Sequence, residues 1–227
     1  ARIKSCAKSR NISFNITIEE AWEQFLKQKK RCALTNIKLS FPKTSENIDY
    51  FASLDRIDSL KPYHSDNIQW VHSYVNFIKG KMLLSDLLYW VNLINKPDKS
   101  PHQIIIPEAK HAHNWKGIGL INGTYLSITR CGAKSRNLEF DITIGDMWDL
   151  FLKQNGRCSI TNLPLFFKDG IHIEQTASLD RINPLLGYTV DNIQWVHKKI
   201  NLMKWDLQQN EFIKMCKLIS KKFLPSQ

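Results

Sequence analysis

The sequence predicts an α+β fold made of two tandem modules, each with flanking helices. Two observations carry this prediction. The first is an internal repeat: "SLDRIDSLKPYHSDNIQWVHSYVNFIK" (Ser53–Lys79) returns as "SLDRINPLLGYTVDNIQWVHKKINLMK" (Ser178–Lys204). Ala7–Phe41 against Ala133–Phe167 gives 20 identities in 35 positions, and Ala52–Lys79 against Ala177–Lys204 gives 17 in 28. The offset changes by one residue between the blocks, in the loop around Thr44–Asp49, so the repeat is a duplication. The second observation is a change of period inside each repeat, from helical spacing to extended runs.

The elements follow in order. Ile18, Ala21, Trp22, Phe25 and Leu26 form one helical stripe, opened by a capping box of Thr17 and Glu20. Ile144, Met147, Trp148, Phe151 and Leu152 repeat it behind Thr143 and Asp146. Both tryptophans are expected in the core. "RCALTNIKLSF" (Arg31–Phe41) and "RCSITNLPLFF" (Arg157–Phe167) read as a turn leading into a short strand. "ASLDRI" and "NIQWV" read as two strands, and a helix with Asn76 and Lys79 closes the unit. A last helix carries Leu87, Leu88, Val91 and Ile94, or Phe212, Ile213, Cys216 and Ile219, which makes Cys216 a small core residue. "NKPDKSPHQ" (Asn95–Gln103) reads as linker. The expected boundaries are 1–96 for the first module, 97–112 for the linker and 113–227 for the second module. The segment from His113 that leads into repeat 2 has no upstream counterpart in repeat 1.

The formal charge is +11, with a pI near 9.4. Excess basic charge gathers polyanions, and nucleic acid is the usual partner. No apolar run approaches a membrane span, so no membrane role is expected. The five cysteines include no CxxC pair, which argues against a disulfide framework and against a four-thiolate zinc site. A reducing compartment is the simpler reading; which one is not legible. The chain starts at Ala1 without Met, which leaves a removed targeting segment open.

The chemistry lies in the quoted stretch. Asp55 ends a strand, Asn67 follows 12 residues on, Asn76 a further 9, and then Lys79. Strand–loop–strand–helix folds the helix back over the strand and brings Asp55 toward Asn76. A carboxylate with an amide oxygen is a hard, open site that suits Mg²⁺, which stabilises charge on a phosphodiester. Asp180, Asn192, Asn201 and Lys204 repeat the set.

With these residues the chain resembles the HNH endonucleases, the ββα-metal or His-Me finger nucleases, and most closely their phage and mobile-element branch. "AKSRNLEFDIT" and "NWKGIGLINGTY" also resemble that branch. The resemblance implies that Asp55 with Asn76, and Asp180 with Asn201, hold Mg²⁺ or Mn²⁺. It implies that Asn67 and Asn192 brace the loop and that Lys79 and Lys204 approach phosphate. Lys8, Arg10, Lys134 and Arg136, before the first helix of each repeat, are further candidates for phosphate contact.

One departure matters. The family's general base is a His directly after the metal-binding Asp, and here Arg56 and Arg181 stand there. Arginine cannot accept a proton, though it can clamp phosphate. It can also be structural, pairing for instance with Asp58, which Asn183 replaces in repeat 2. A positioned base is worth about 10²–10⁴-fold in rate. His72 and His197 repeat after the second strand, and with Cys32 and Cys158 they read as remnants of the zinc site that braces some relatives. No intact zinc site is expected, because Thr35, Val75, Thr161 and Ile200 fill the other positions.

The leading expectation is a metal-dependent DNA endonuclease of homing type, a monomer acting as a pseudo-dimer. The rival from another class is a retired nuclease kept as a structural nucleic-acid-binding protein, with RNA such as ribosomal RNA as the alternative partner. If a single module cuts, repeat 2 is favoured, because it keeps the "GY" of the loop.

Overall fold

The computed structural model describes residues 2–41, 51–106, 116–168 and 174–224. The loop at Thr44–Asp49, residues 107–112 of the expected linker and residues 113–115 of the expected second module lie outside the described residues. The protein is α+β and divides into two compact units, Ala1–Asn95 with Glu211–Gln227, and Lys96–Asn210.

The first unit runs α1 (Arg2–Ser9), β1 (Phe14–Asn15), α2 (Ile18–Lys27), β2 (Ala52–Arg56), β3 (Tyr63–His64), β4 (Ile68–His72), α3 (Ser73–Lys79) and α4 (Leu84–Asn95). The second runs β5 (Gly117–Ile118), β6 (Ile121–Asn122), α5 (Gly123–Ser135), β7 (Phe140–Asp141), α6 (Ile144–Lys153), β8 (Ala177–Arg181) and β9 (Tyr188–Thr189). A 3₁₀ turn (Val190–Asn192), β10 (Ile193–His197) and α7 (Lys198–Lys204) follow. Helix α8 (Gln209–Phe223) ends the described chain.

Each unit is centred on an antiparallel ribbon, β2 with β4 or β8 with β10, in matching register: Asp55 faces Gln69 and Asp180 faces Gln194. The helix after the second strand folds back on the ribbon. Strand β4 is buried along its whole length, which leaves its edge in need of partners. Gln28 supplies them: its amide nitrogen donates to the Trp70 carbonyl and its oxygen accepts from the Trp70 amide, both at 2.8 Å. Gln154 does the same for Trp195. The Trp70 indole donates to the Ala21 carbonyl at 2.6 Å, and Trp195 to Met147 at 2.8 Å, which ties the first helix to the ribbon.

Both capping boxes form. Cys216 is fully buried, and burial pushes its thiol well above the usual range. Two expectations need correction. Trp22 is half exposed while Trp148 is better covered, because among the described residues a hairpin, β5–β6, lies against this face in the second unit alone. Arg31–Phe41 forms isolated bridges and no strand, since the chain turns at positive-φ Asn36. The unit boundaries also differ. The tail from Glu211 belongs with the first unit, and α8 buries Phe212, Met215, Cys216 and Ile219. The start of the expected linker belongs to the second unit, where Arg157 pairs with Asp98 at 3.2 Å and donates to the Ser100 carbonyl.

After α2, Lys29 and Lys30 both take positive φ, 53° and 57°; repeat 2 uses Asn155 and Gly156 there. Left-handed backbone costs most residues roughly 1–2 kcal/mol and glycine little. Lys29→Asn with Lys30→Gly should therefore stabilise the protein by about 1 kcal/mol, read from urea unfolding.

Candidate functional site

The site grows from the ribbon register. Gln69 stands across from Asp55, and its amide donates to Asp55 Oδ2 at 2.9 Å. Lys79 ends α3 and reaches back to the same carboxylate. Its ammonium donates to Asp55 Oδ1 at 3.1 Å, to the Arg56 carbonyl at 2.8 Å and to Ser59 Oγ at 3.2 Å. Lys79 is 1% exposed and Asp55 5%. In repeat 2, Lys204 donates to Asp180 Oδ1 at 3.2 Å and to the Arg181 carbonyl at 2.7 Å, while Gln194 donates to Asp180 Oδ2 at 2.8 Å. Burial pushes both carboxyls up from the ordinary range, and the lysine charge, the glutamine and a backbone amide pull against it.

This geometry bears on the expected roles of the lysines and the metal ligands. A fully buried ammonium held by acceptors is not placed to meet phosphate, so Lys79 and Lys204 are not phosphate contacts in this arrangement. The residues also do not fit Mg²⁺ or Mn²⁺ as they stand: both oxygens of each aspartate are engaged, with an ammonium in the place of a cation. Asn76 Nδ2 donates to Ser53 Oγ at 2.8 Å, and Asn201 Nδ2 to Ser178 Oγ at 2.8 Å. Each asparagine thus meets the serine two residues before the aspartate, on the same face of the strand. Among the described residues, no three His, Cys, Asp or Glu side chains gather as a metal set.

Arg56 and Arg181 serve the loop. Arg56 is buried, donates to the Lys61 carbonyl at 2.6 Å and lies over the Tyr63 ring at 5.4 Å. Arg181 donates to the Pro184 and Leu186 carbonyls at 2.5 and 2.8 Å, over Tyr188 at 5.4 Å. Of the roles open to Arg56, the structural one holds, with loop carbonyls as partners in place of Asp58. Asp58 Oδ1 instead accepts from the Leu60 amide, and Asn183 Oδ1 from the Leu185 amide, a turn that either residue makes.

Asn67 and Asn192 brace this loop. Asn67 Oδ1 accepts from the Asp58 amide at 2.9 Å, and its Nδ2 donates to the Asp58 and Pro62 carbonyls at 3.1 and 2.9 Å. Asn192 makes the same bonds to Asn183 and Gly187.

His72 and Cys32 are buried together, with the His72 amide donating to Cys32 Sγ at 3.3 Å. His72 Nδ1 caps α3 by accepting from the Tyr74 amide, and His197 Nδ1 caps α7 by accepting from Lys199. The expected zinc-remnant positions are thus filled by a helix cap and core side chains. Lys8, Arg10, Lys134 and Arg136 are exposed at the ends of α1 and α5.

The sequence reading missed Gln69 and Gln194, although a polar residue kept twice inside an apolar strand is a signal. A scan against family models, a search of the curated proteins and a search of the solved structures each found no match.

Two predictions follow from this geometry. Asp55→Leu strands a buried ammonium and should cost about 3–5 kcal/mol. Adding Lys79→Met should recover most of that loss in urea unfolding. A double variant no better than the single would place the stabilisation elsewhere. The second concerns His197, whose pKa drops from 6.5 to about 4 through burial and then Lys198 and Lys199. The unfolded chain then binds the proton more readily than the fold does. Stability from this group is complete above pH 6.5 and declines as pH falls toward 4. His197→Asn keeps a cap acceptor and should flatten that acid limb of the stability profile.

Proposed function

We propose that the chain is a two-module nucleic-acid-binding protein of HNH, ββα-metal descent, in which each former metal site is closed by its own lysine. The observation that carries this reading is the buried Asp55–Lys79–Gln69 triad and its copy, Asp180–Lys204–Gln194. A second support is that the residue in the general-base position is an arginine tied to loop carbonyls. The charge of +11 and the exposed Lys8, Arg10, Lys134 and Arg136 supply the phosphate contacts. Such contacts are sequence-blind, and they take duplex DNA first, with structured RNA as the alternative. Two modules in one chain bind as a monomer with the gain of linked sites.

The endonuclease reading keeps one specific support. Asn76 and Asn201 reach the same strand face as Asp55 and Asp180, so the ligands that the family resemblance implies for Mg²⁺ or Mn²⁺ are neighbours in both repeats. It requires each lysine to leave its aspartate.

Incubating supercoiled plasmid with the protein in Mg²⁺, Mn²⁺ or EDTA separates the two readings. The proposal expects salt-sensitive binding without metal-dependent nicking. Nicking that disappears in the Asp55→Ala, Asp180→Ala double variant would establish the nuclease instead. Lys8→Ala and Arg10→Ala should weaken binding evenly across sequences, each lowering the salt slope by about 1.

A further inference from the structure

The turn after the last ribbon helix has the same backbone in both units and a different residue at its centre. In the first unit Gly80 follows Lys79 with φ 53° and ψ −122°. Its amide donates to the Asn76 carbonyl at 2.9 Å, and the Met82 amide donates to the Lys79 carbonyl at 3.0 Å. In the second unit Trp205 follows Lys204 with φ 52° and ψ −119°. Its amide donates to the Asn201 carbonyl, and the Leu207 amide to the Lys204 carbonyl, both at 2.9 Å. This is the first central position of a type II′ turn, where the backbone favours glycine. The turn cannot relax, because the lysine before it is held in the buried triad. Positive φ is costly for a residue with a Cβ, and most of all for a bulky one. Burial does not offset that cost, since Trp205 is 63% exposed.

Trp205 shares one stripe of α7 with Leu202, 64% exposed, and with exposed Lys198, at spacing i, i+4 and i+7. Lys199 stands beside Lys198 and is half-buried. The first unit has Ser73, Tyr74, Phe77 and Gly80 at these four places, so every one differs. The inner face of the helix stays alike: Val75, Asn76, Ile78 and Lys79 return as Ile200, Asn201, Met203 and Lys204. Two of the outer changes run against local stability. One is tryptophan in the place of glycine. The other is a pair of lysines in the first turn, where the positive end of the helix dipole disfavours cations. Glu174 answers Lys198 at 2.8 Å, in an exposed pair of small worth. Residues that break local rules together on one exposed face are the mark of a contact site. A ring beside lysines suits a base joined to phosphate, because the ring stacks on the base and the ammonium groups meet the backbone. A base offers its face to a side chain where it is unpaired.

We propose that Trp205, with Leu202, Lys198 and Lys199, is a stacking site for an unpaired nucleobase of single-stranded DNA or RNA. The proposal rests on the nucleic-acid-binding reading above and gives the second module a preference for unpaired strands that the first lacks.

The test uses the full chain with fluorescein-labelled single strands, DNA and RNA, and with the matching DNA duplex, followed by anisotropy in EDTA. Trp205→Gly restores the residue of the first unit, so the fold is kept. It should weaken single-strand binding about tenfold and leave duplex binding unchanged. Trp205→Phe keeps a ring and should retain most of the single-strand affinity. Trp205→Gly should also raise the urea midpoint, because it removes the backbone cost. Single-strand affinity unchanged in Trp205→Gly would overturn the proposal, and duplex binding retained in that case would leave the nucleic-acid reading standing. A lower urea midpoint for Trp205→Gly would also overturn it, since the ring would then be packing within the chain. So would a dimer in sedimentation that Trp205→Gly dissociates, with a second copy as the occupant. A chain that binds neither single strand nor duplex would overturn both readings.

Discussion

A lysine ammonium at the end of the last ribbon helix, turned back onto a strand aspartate, is the interaction on which each unit depends. Neither charge survives burial alone, because an isolated buried ion costs far more than a domain's stability. Together with the glutamine across the ribbon they fix three elements at one point: the first strand, the second strand and the helix. The ribbon register cannot slip by one residue without turning Asp55 or Asp180 to the opposite face. The helix cannot slide without dragging its lysine away from three acceptors in the first unit.

The loop between the strands is organised by the next residue along. Arg56 and Arg181 bind loop carbonyls and stack on a tyrosine, while Asn67 and Asn192 close the other side. Neighbouring strand positions therefore do opposite work. The aspartate points in to the triad, and the arginine points to the loop. An arginine at this position suits a framework, since its forked donors hold several carbonyls at once.

Much of the fold was legible in the sequence. The duplication, the capping boxes and the ribbon–helix order all follow from local patterns of few residues. The site was half legible. Asp55, Asn67, Asn76 and Lys79 could be singled out by spacing, yet spacing does not say which partner a side chain takes. Lys79 was expected to approach phosphate, and only the fold-back of α3 reveals it as buried. Asp58 and Asn183 looked like a broken ion pair, because their shared turn geometry is invisible until the loop is drawn. Trp22 looked like core, because a helical stripe records which face is apolar and not whether anything lies on it. The tail helix was placed by the repeat in the second module, whereas the compact units group the chain from Glu211 with the first.

That last feature bears on the order of folding. The second unit is one continuous stretch, so it can assemble while the chain is still being synthesised. The first is discontinuous, with residues Lys96–Asn210 set between its two parts. Helix α8 emerges only after the whole of the second unit, and loop closure across an inserted domain is slow relative to local contacts. The first unit therefore waits, with the surface that α8 will cover still open, until α8 itself has left the ribosome.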